Sequence, residues 1–437
     1  MVLDRTDYST FRLQNTDMKS SNWKIVTLLL LTSSLMYSCA DKCTDTYKIT
    51  ETITLFKSIA DTRNSFEVQV AKEIDKPGKL YVFGNTLFVV DQNRGFHVIN
   101  NSNPSAPLRV QFIQLDGCTD LVVKGNYLYA NNVNDLVTIQ INQGTYTLVD
   151  RNQNVFNLFE TNGDSIAYDY IIEERWVTNE DYNCEGSGFV FGMQDDLAVQ
   201  TADNSGAEAG ATGTGGSTAR MTVVNDYIYA VDNRNLLAID ISNGADPKKA
   251  RVNDISNWTS LIETIFPMGD YLFIGTTTGM QIFNHKANPG SPVHESTSEH
   301  FRSCDPVVVQ NDIAYVTTHG GTGCGGNRNA LYTYDVKNVK LPIELAVFDM
   351  TYPLGLGIDG TTLFVCEDDF GLKVYDASDP KNITDNKLSE ITTISPTDVI
   401  PLNGLLIVTA KDGVYQYDYT DPSNLVLLSK VYDIDTD

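Results

Sequence analysis

The chain has 437 residues, with 31 Lys and Arg against 56 Asp and Glu, which gives a formal net charge of -25. This acidic balance disfavours nucleic-acid binding, because phosphate recognition needs a concentrated Lys and Arg surface. A hydrophobic content of 42% is enough for a core and disfavours global disorder. No run reaches the roughly 18 apolar residues of a membrane-spanning helix.

The N-terminus has the features of an export signal. Lys19 and Lys24 precede an apolar run at 25–31, and small residues follow that run. A basic start, a short apolar core and a small residue before the cut predict a signal peptide over residues 1–38. Met18 is an alternative start, because the acidic residues before it are atypical of such a segment.

Cys39 is the predicted attachment point to a membrane. It directly follows Ser38, and this arrangement resembles the lipobox of bacterial lipoproteins, in which the Cys is lipidated. Acyl chains hold a protein on a membrane without spanning it; an ordinary cleaved signal with an unmodified Cys39 is the alternative. Residues 39–76 are then a tether with strands at 52–60 and 66–70, which either complete the last unit of the repeat that follows or cap one of its faces.

A repeated strand pattern runs through residues 77–431. Each unit has an apolar strand, a tight Asn, Asp or Gly turn, a second apolar strand, a polar loop, and a third strand that ends near Asp or Asn. Many units then have an Asx-Pro turn before a fourth strand. The second strands begin at Leu87, Tyr127, Tyr227, Tyr271, Ile313, Leu363 and Leu405. Their intervals of 40, 100, 44, 42, 50 and 42 residues are typical, with one exception, of propeller blades.

Two stretches resemble a named repeat. Residues 371–380 read Gly-Leu-Lys-Val-Tyr-Asp-Ala-Ser-Asp-Pro and residues 237–242 read Leu-Ala-Ile-Asp-Ile-Ser, and both look like the LVIVD repeat. The resemblance implies a propeller-like fold on a secreted or surface bacterial protein, and it supplies no catalytic residues. We therefore predict an all-β fold, a seven-bladed β-propeller of four-stranded antiparallel blades over residues 77–437.

The interval of 100 residues holds one long insertion, at 157–216. Its first part contains several aromatic residues, whereas residues 202–217 are almost wholly Gly, Ala, Thr and Ser. That composition predicts a flexible loop. An eighth, degenerate blade at 157–200 is the alternative.

Four cysteines are candidates for disulfides, because an exported chain permits them. Cys304 and Cys324 lie in loops that share one face of a propeller, and Cys118 with Cys184 is the second candidate pair. A zinc site that combines the first pair with a nearby His and Asp is the alternative, but the Cys-x-x-Cys spacing is missing. We predict no metal site and no cofactor.

One face of the predicted propeller carries the varied polar residues. The loops that lead into first strands and those that join second to third strands converge there, together with the insertion. Binding residues concentrate on loops held by a rigid scaffold, so these residues are the ligand-face candidates. They are Arg94, Arg220, Arg234, Glu263, Asp305, His319, Glu367 and Asp398.

Motifs for catalysis are missing from the sequence. There is no Gly-x-Ser-x-Gly, His-Glu-x-x-His, phosphate-binding loop or dinucleotide fingerprint, so we name no catalytic residue. We predict an exported lipoprotein of the outer membrane or cell surface, held by its lipid anchor only, that acts as a non-catalytic binding module for a protein or glycan. The alternative is a propeller hydrolase or lyase with a polar site at the central axis.

Overall fold

The computed structural model describes residues 45–179, 212–255, 261–299, 306–320 and 328–431. The predicted signal peptide and Cys39 lie outside these residues. The chain divides into two compact units, one made of residues 1–51 and 172–191 and the other of residues 52–171 and 192–437. The described part of the first unit consists of the ends of two long strands, and the second unit contains the predicted repeats. No helix among the described residues is long and apolar enough to cross a membrane.

The first elements precede the repeats. Strand β1 covers Asp45–Ser58, helix α1 Ile59–Arg63 and strand β2 Glu67–Val70. The helix begins at Ser58, whose Oγ accepts a hydrogen bond from the backbone N of Asp61 at 3.0 Å, as an N-cap does. Arg63 at its end donates to both carboxylate oxygens of Asp135, at 2.7 and 3.0 Å. Burial raises the pKa of Asp135, but the hydrogen bonds from Arg63 and Asn154 outweigh it and hold that pKa below its usual range.

Seven blades follow, and in each of them four antiparallel strands lie in chain order from the channel outwards. Blade 1 comprises β3 Pro77–Phe83, β4 Thr86–Asp91, β5 Gly95–Asn100 and β6 Leu108–Gln114, and blade 2 comprises β7 Leu121–Lys124, β8 Tyr127–Asn132, β9 Asp135–Asn142 and β10 Thr145–Asn152. The insertion follows with β11 Thr161–Asn162, β12 Ser165–Asn179 and β13 Thr214–Gly215. Blade 3 comprises β14 Met221–Val224, β15 Tyr227–Val231, β16 Asn235–Asp240 and β17 Lys248–Asp254.

The remaining four blades have the same organisation. Blade 4 comprises β18 Ile262–Met268, β19 Tyr271–Thr276, β20 Gly279–Asn284 and β21 Val293–Glu299, and blade 5 comprises β22 Val307–Gln310, β23 Ile313–Thr318, β24 Ala330–Asp335 and β25 Ile343–Asp349. Blade 6 comprises β26 Leu356–Asp359, β27 Thr362–Cys366, β28 Leu372–Asp376 and β29 Lys387–Ile391. Blade 7 comprises β30 Pro396–Leu402, β31 Leu405–Ala410, β32 Gly413–Asp418 and β33 Val426–Val431. The first strands of successive blades contact one another, and β3 contacts the last blade. The predicted all-β, seven-bladed propeller is confirmed.

The core lies between neighbouring blades. Second strands such as β31 are buried along almost their whole length, because both of their faces are covered by adjacent sheets. Fourth strands such as β6 expose alternate residues towards the outside. Burial therefore follows the position of a strand within its blade.

One face consists of tight turns, and we call it the Asx-turn face. Its first-to-second strand turns contain residues in the left-handed region, such as Gly125 at φ 58° and Asn225 at φ 54°, which Gly and Asn tolerate. In its Asx-Pro turns the Asp side chain accepts a backbone N–H two residues on, as Asp421 does from Ser423 at 3.0 Å. The carbonyl oxygen of Pro422 then accepts a hydrogen bond at 2.7 Å from a serine hydroxyl of the preceding blade.

The ring closes by side-chain contacts between blades 7 and 1. All four strands of blade 7 come from residues 396–431. Asn101 and Gln416 exchange two hydrogen bonds of 2.8 Å across this seam. The predicted strand at 66–70 does not complete the last blade, because β2 instead pairs with β6 as an added outer strand of blade 1.

The insertion differs from the prediction at both of its ends. Strands β11 and β12 pair with each other, and β12 also pairs with β1 in a separate three-stranded sheet, so residues 161–179 do not form an eighth blade. At the other end, the predicted flexible loop is wrong for residues 214–215, because β13 pairs with β3, the first strand of blade 1.

Candidate functional site

Residues 212–220, which we call the axial segment, run along the first strands of the blades. Thr212 forms a β-bridge with Lys124 at the end of β7. The backbone N of Gly213 donates to the hydroxyl of Tyr81 at 3.1 Å. A Cβ on Gly213 would lie 2.2 Å from the Tyr81 ring, so the residue has to be glycine for this approach. The segment is thus fitted closely against blades 1 and 2.

The segment continues to the opposite end of the channel. The backbone N and Oγ of Ser217 donate to Asp398 Oδ1 at 3.1 and 3.2 Å, and the Ser217 Oγ accepts from Leu356 N at 2.6 Å. The carbonyl of Ala219 accepts from Ile265 N at 2.7 Å. First strands run towards the Asx-turn face and β13 is antiparallel to β3. The axial segment therefore passes from the Asx-turn face to the insertion-bearing face.

Charged residues form a collar at the insertion-bearing end of the channel. Each collar residue comes directly before a buried apolar residue in the first strand of its blade, and four blades contribute one each. The collar residues are Lys79, Asp120, Arg220 and Asp398. Lys79 Nζ lies 2.7 Å from Asp120 Oδ2, and the same oxygen accepts the backbone N–H groups of Arg220 at 2.8 Å and Met221 at 3.0 Å. Two cations and two anions thus meet, and the chain itself occupies much of their bonding capacity.

Burial dominates the electrostatics of the collar. It lowers the pKa of Lys79 to about 8, although Asp120 opposes the shift. It also lowers the pKa of Arg220, against the attraction of Glu263, Asp232 and Asp120. Within the four collar residues, two positive charges therefore lie close to two negative ones.

The structure brings three of the predicted ligand-face residues towards the axis. Arg220 and Asp398 belong to the collar, and Glu263 interacts electrostatically with Arg220. Sequence reasoning missed Lys79, although a Lys directly before the apolar run of β3 was the available signal.

The other ligand-face candidates bond or pack elsewhere, are exposed, or lie outside the described residues. Arg94, between β4 and β5, pairs with Asp75, which precedes β3. Arg234 is exposed, and Glu367 is buried, with its Oε1 accepting Thr351 N at 2.8 Å. His319 packs against the Tyr352 ring at 5.5 Å, and burial lowers the pKa of His319 to about 4. Asp305 lies outside the described residues.

An exposed patch lies on the loops of blades 6 and 7, and we call it the blade 6–7 patch. Phe370 is 50% exposed on a short 3-10 turn at Asp368–Phe370. Lys411 lies 2.7 Å from Asp368 and 3.2 Å from Asp369, and Ser395 Oγ donates to Asp369 at 2.8 Å. These bonds tie the turn that carries the exposed Phe370 to the neighbouring loops of blade 7.

The cysteines are described only in part. Cys118 is fully buried, its Sγ lies 3.8 Å from the carbonyl oxygen of Asp120, and burial raises the pKa of the thiol. Cys184, Cys304 and Cys324 lie outside the described residues, so both disulfide pairings stay predictions. Within the described ranges, no group of three or more His, Cys, Asp or Glu residues is placed to hold a metal ion.

Comparison with known proteins agrees with the blade pattern. The LVIVD repeat model matches residues 77–111, 118–146 and 215–253, which fall in blades 1, 2 and 3. The chain is a propeller that carries LVIVD repeats. The stretch at 371–380, which resembles the repeat, lies outside the matched residues, yet it belongs to the same kind of four-stranded blade. No curated protein matches this LVIVD-repeat chain.

Solved structures resemble this propeller at low sequence identity. A protein of Bacteroides fragilis named a candidate 6-phosphogluconolactonase is 10% identical with a TM-score of 0.51, covering 82% of this chain and 95% of that one. A computationally designed protein, Ika8, is 11% identical with a TM-score of 0.49, covering 82% and 87%. BamB of Moraxella catarrhalis is 10% identical with a TM-score of 0.44, covering 85% and 97%. The first likeness concerns the fold alone.

Proposed function

We propose that this LVIVD-repeat propeller is a lipid-anchored module of the bacterial cell envelope that binds a protein or glycan through its insertion-bearing face. The observation that carries the proposal is the axial segment, which occupies the channel and bonds to the collar. The polar residues nearest the axis are thereby engaged by the chain itself. We therefore expect the exposed loops of the insertion-bearing face to recognise the partner.

The blade 6–7 patch is the best described candidate for that contact. Aromatic side chains are enriched in interface cores, where they bury a large area at a small cost in conformational entropy. Phe370 follows Asp369 in the chain, and Asp369 accepts a hydrogen bond from Lys411 at 3.2 Å, so the loop that carries the exposed aromatic side chain also carries charged groups. A polar rim around a central anchor is the usual arrangement of an interaction surface.

A capture experiment with matched variants tests the face. The soluble fragment 45–437 serves as bait for envelope extracts, and we expect Phe370→Ala to abolish capture of the partner. Leu341→Ala is the control, because Leu341 is 66% exposed in a turn of the opposite face. If Phe370→Ala captures the same partner as the parent fragment, the patch is not the binding surface.

The anchor is tested separately by fractionation. We expect Cys39→Ser to move the protein from the membrane fraction to the soluble fraction, because acyl burial of ~0.8 kcal/mol per CH₂ is lost. Ser38→Ala keeps the cysteine and is the control. A membrane fraction unchanged by Cys39→Ser would contradict lipidation.

The alternative, a hydrolase or lyase with its site at the axis, has less support. General acid–base chemistry needs groups within hydrogen-bond reach of a substrate. Asp120 and Asp398 instead accept hydrogen bonds from backbone N–H groups of the axial segment. Substitution of Asp398 would remove turnover of any substrate that this site converts.

A further inference from the structure

A lysine and an aspartate from neighbouring blades meet inside the collar. Lys79 lies in β3, the first strand of blade 1, and Asp120 directly precedes β7, the first strand of blade 2. The Lys79 side chain is 3% exposed and the Asp120 side chain 7%, and Lys79 Nζ lies 2.7 Å from Asp120 Oδ2. An amine nitrogen is therefore held against a carboxyl group at a place that solvent hardly reaches.

Burial is unfavourable for this pair as long as both groups carry a charge. The removal of an ammonium and a carboxylate from water is costly, and their mutual attraction offsets only part of that cost. Burial also lowers the pKa of Lys79 to about 8, which brings the neutral amine, the nucleophilic form, closer to neutral pH. A neutral amide in place of the two ions would remove the desolvation cost of both charges.

The backbone where the axial segment meets β14 supports a reaction at the Asp120 carboxyl group. Asp120 Oδ2 accepts the backbone N–H of Arg220 at 2.8 Å and that of Met221 at 3.0 Å. Two backbone N–H groups aimed at one oxygen stabilise negative charge on it, as the donors of an oxyanion hole do. They would therefore stabilise the tetrahedral intermediate that forms when an amine attacks the carboxyl carbon.

We propose that Lys79 and Asp120 condense to an intramolecular amide that links blade 1 covalently to blade 2. One proton passes from the Lys79 ammonium to Asp120 Oδ1, and the neutral amine then attacks the carboxyl carbon of Asp120. A C–N bond forms and the C–Oδ1 bond breaks, and Oδ1 leaves as water with a second proton from the nitrogen. The step consumes no oxidant, cofactor or other reactant.

The product keeps the hydrogen bonds that hold the pair in place. Oδ2 becomes the amide oxygen and still accepts from Arg220 and Met221, whereas one positive and one negative buried charge disappear together. The bond needs neither a binding partner nor the lipid anchor. It is therefore independent of the proposed function, and either proposal can fail without the other.

Peptide mapping of the full-length protein tests the bond directly. The protein is denatured and digested with trypsin, and the peptides are identified by mass spectrometry. We expect the peptide with Lys79 and the peptide with Asp120 to appear as one species, lighter by one water than the two separate peptides together. The ion pair of Lys124 and Asp226 is the internal control, because the Asp226 side chain is 62% exposed, and its two peptides should stay separate.

A variant assigns the bond to its nitrogen. Lys79→Arg keeps the positive charge, but a guanidinium stays protonated and is no nucleophile, so we expect the linked species to be lost. Separate Lys79 and Asp120 peptides from the folded parent protein would overturn the proposal. So would a linked species that persists in Lys79→Arg, or an equal link between Lys124 and Asp226, which would mean that dehydration occurs during sample preparation.

Discussion

The two faces of the propeller are stabilised over very different distances along the chain. On the Asx-turn face, Asp421 accepts a hydrogen bond from a residue two positions away, and similar turns recur from blade to blade. On the insertion-bearing face, Asp398 accepts hydrogen bonds from Ser217, which is 181 positions away. The Asp-capped turns of one face are thus formed within each repeat, whereas the other face also bonds to a single segment that occurs once.

The largest expected effect that tests this difference is seen by comparing variants of two glycines, one in the axial segment and one in a turn of the Asx-turn face. In Gly213→Val a Cβ would lie 2.2 Å from the Tyr81 ring and 2.4 Å from the backbone oxygen of Val82, so we expect a loss of at least about 3 kcal/mol in the free energy of unfolding. In Gly84→Ala nothing lies within 4 Å, and only the strain of φ +56° remains, which costs about 1 kcal/mol. Urea unfolding measures both; equal losses would mean that the axial segment is not closely packed.

The next effect is a pH dependence at the edge of the insertion-bearing face. Burial lowers the pKa of His319 to about 4, whereas an unfolded His titrates near 6.5. The unfolded state then binds the proton more readily, so the folded state loses up to about 3 kcal/mol as the pH falls from 6.5 to 4. We expect His319→Phe to reduce the pH dependence of the unfolding free energy between pH 6.5 and pH 4. Substitution of the exposed His294 by Gln is the control, and an equal reduction there would contradict the assignment.

Substitution of one aspartate on each face compares directly how much each contact contributes to the free energy of unfolding. Asp398→Ala removes the acceptor of the buried Ser217 N–H, and we expect a loss of about 2 kcal/mol in unfolding free energy. Asp421→Ala removes an exposed turn contact, for which about 0.5 kcal/mol is expected. Thermal unfolding of both variants shows the order, and a larger loss for Asp421→Ala would reverse the comparison.

The last test concerns the seam between blades 7 and 1. Gln416→Leu leaves the amide of Asn101 without its partner at 2.8 Å, which should cost about 1–2 kcal/mol. Asn101→Leu combined with Gln416→Leu should cost less than the sum of the single variants, because the two amides lose each other's bonds only once. Strict additivity in this double-mutant cycle would show that the pair does not hold the seam.

The blades could be predicted from sequence because their signals are local. Turns such as Gly125-Asn126 and Asp421-Pro422 specify their own geometry and recur at a regular interval. The axial segment could not be predicted, since Gly213 and its Thr and Ser neighbours have the composition of a flexible linker. The collar was missed in part for a similar reason: Lys79 meets Asp120 only through the arrangement of two blades. Arg220 and Asp398 were found, but as ligand-face candidates rather than as contacts within the chain.

The position of the axial segment also has a consequence for the order of assembly. During synthesis, blades 1 and 2 emerge before residues 212–217, and blades 3 to 7 emerge after them. N-terminal parts of a chain can fold first as it is made, so β13 can pair with β3 while the ring is still open. The later blades then close around a strand that is already in place. Refolding of a complete denatured chain has no such order. If the ring closed early in that case, β13 would be left outside the channel.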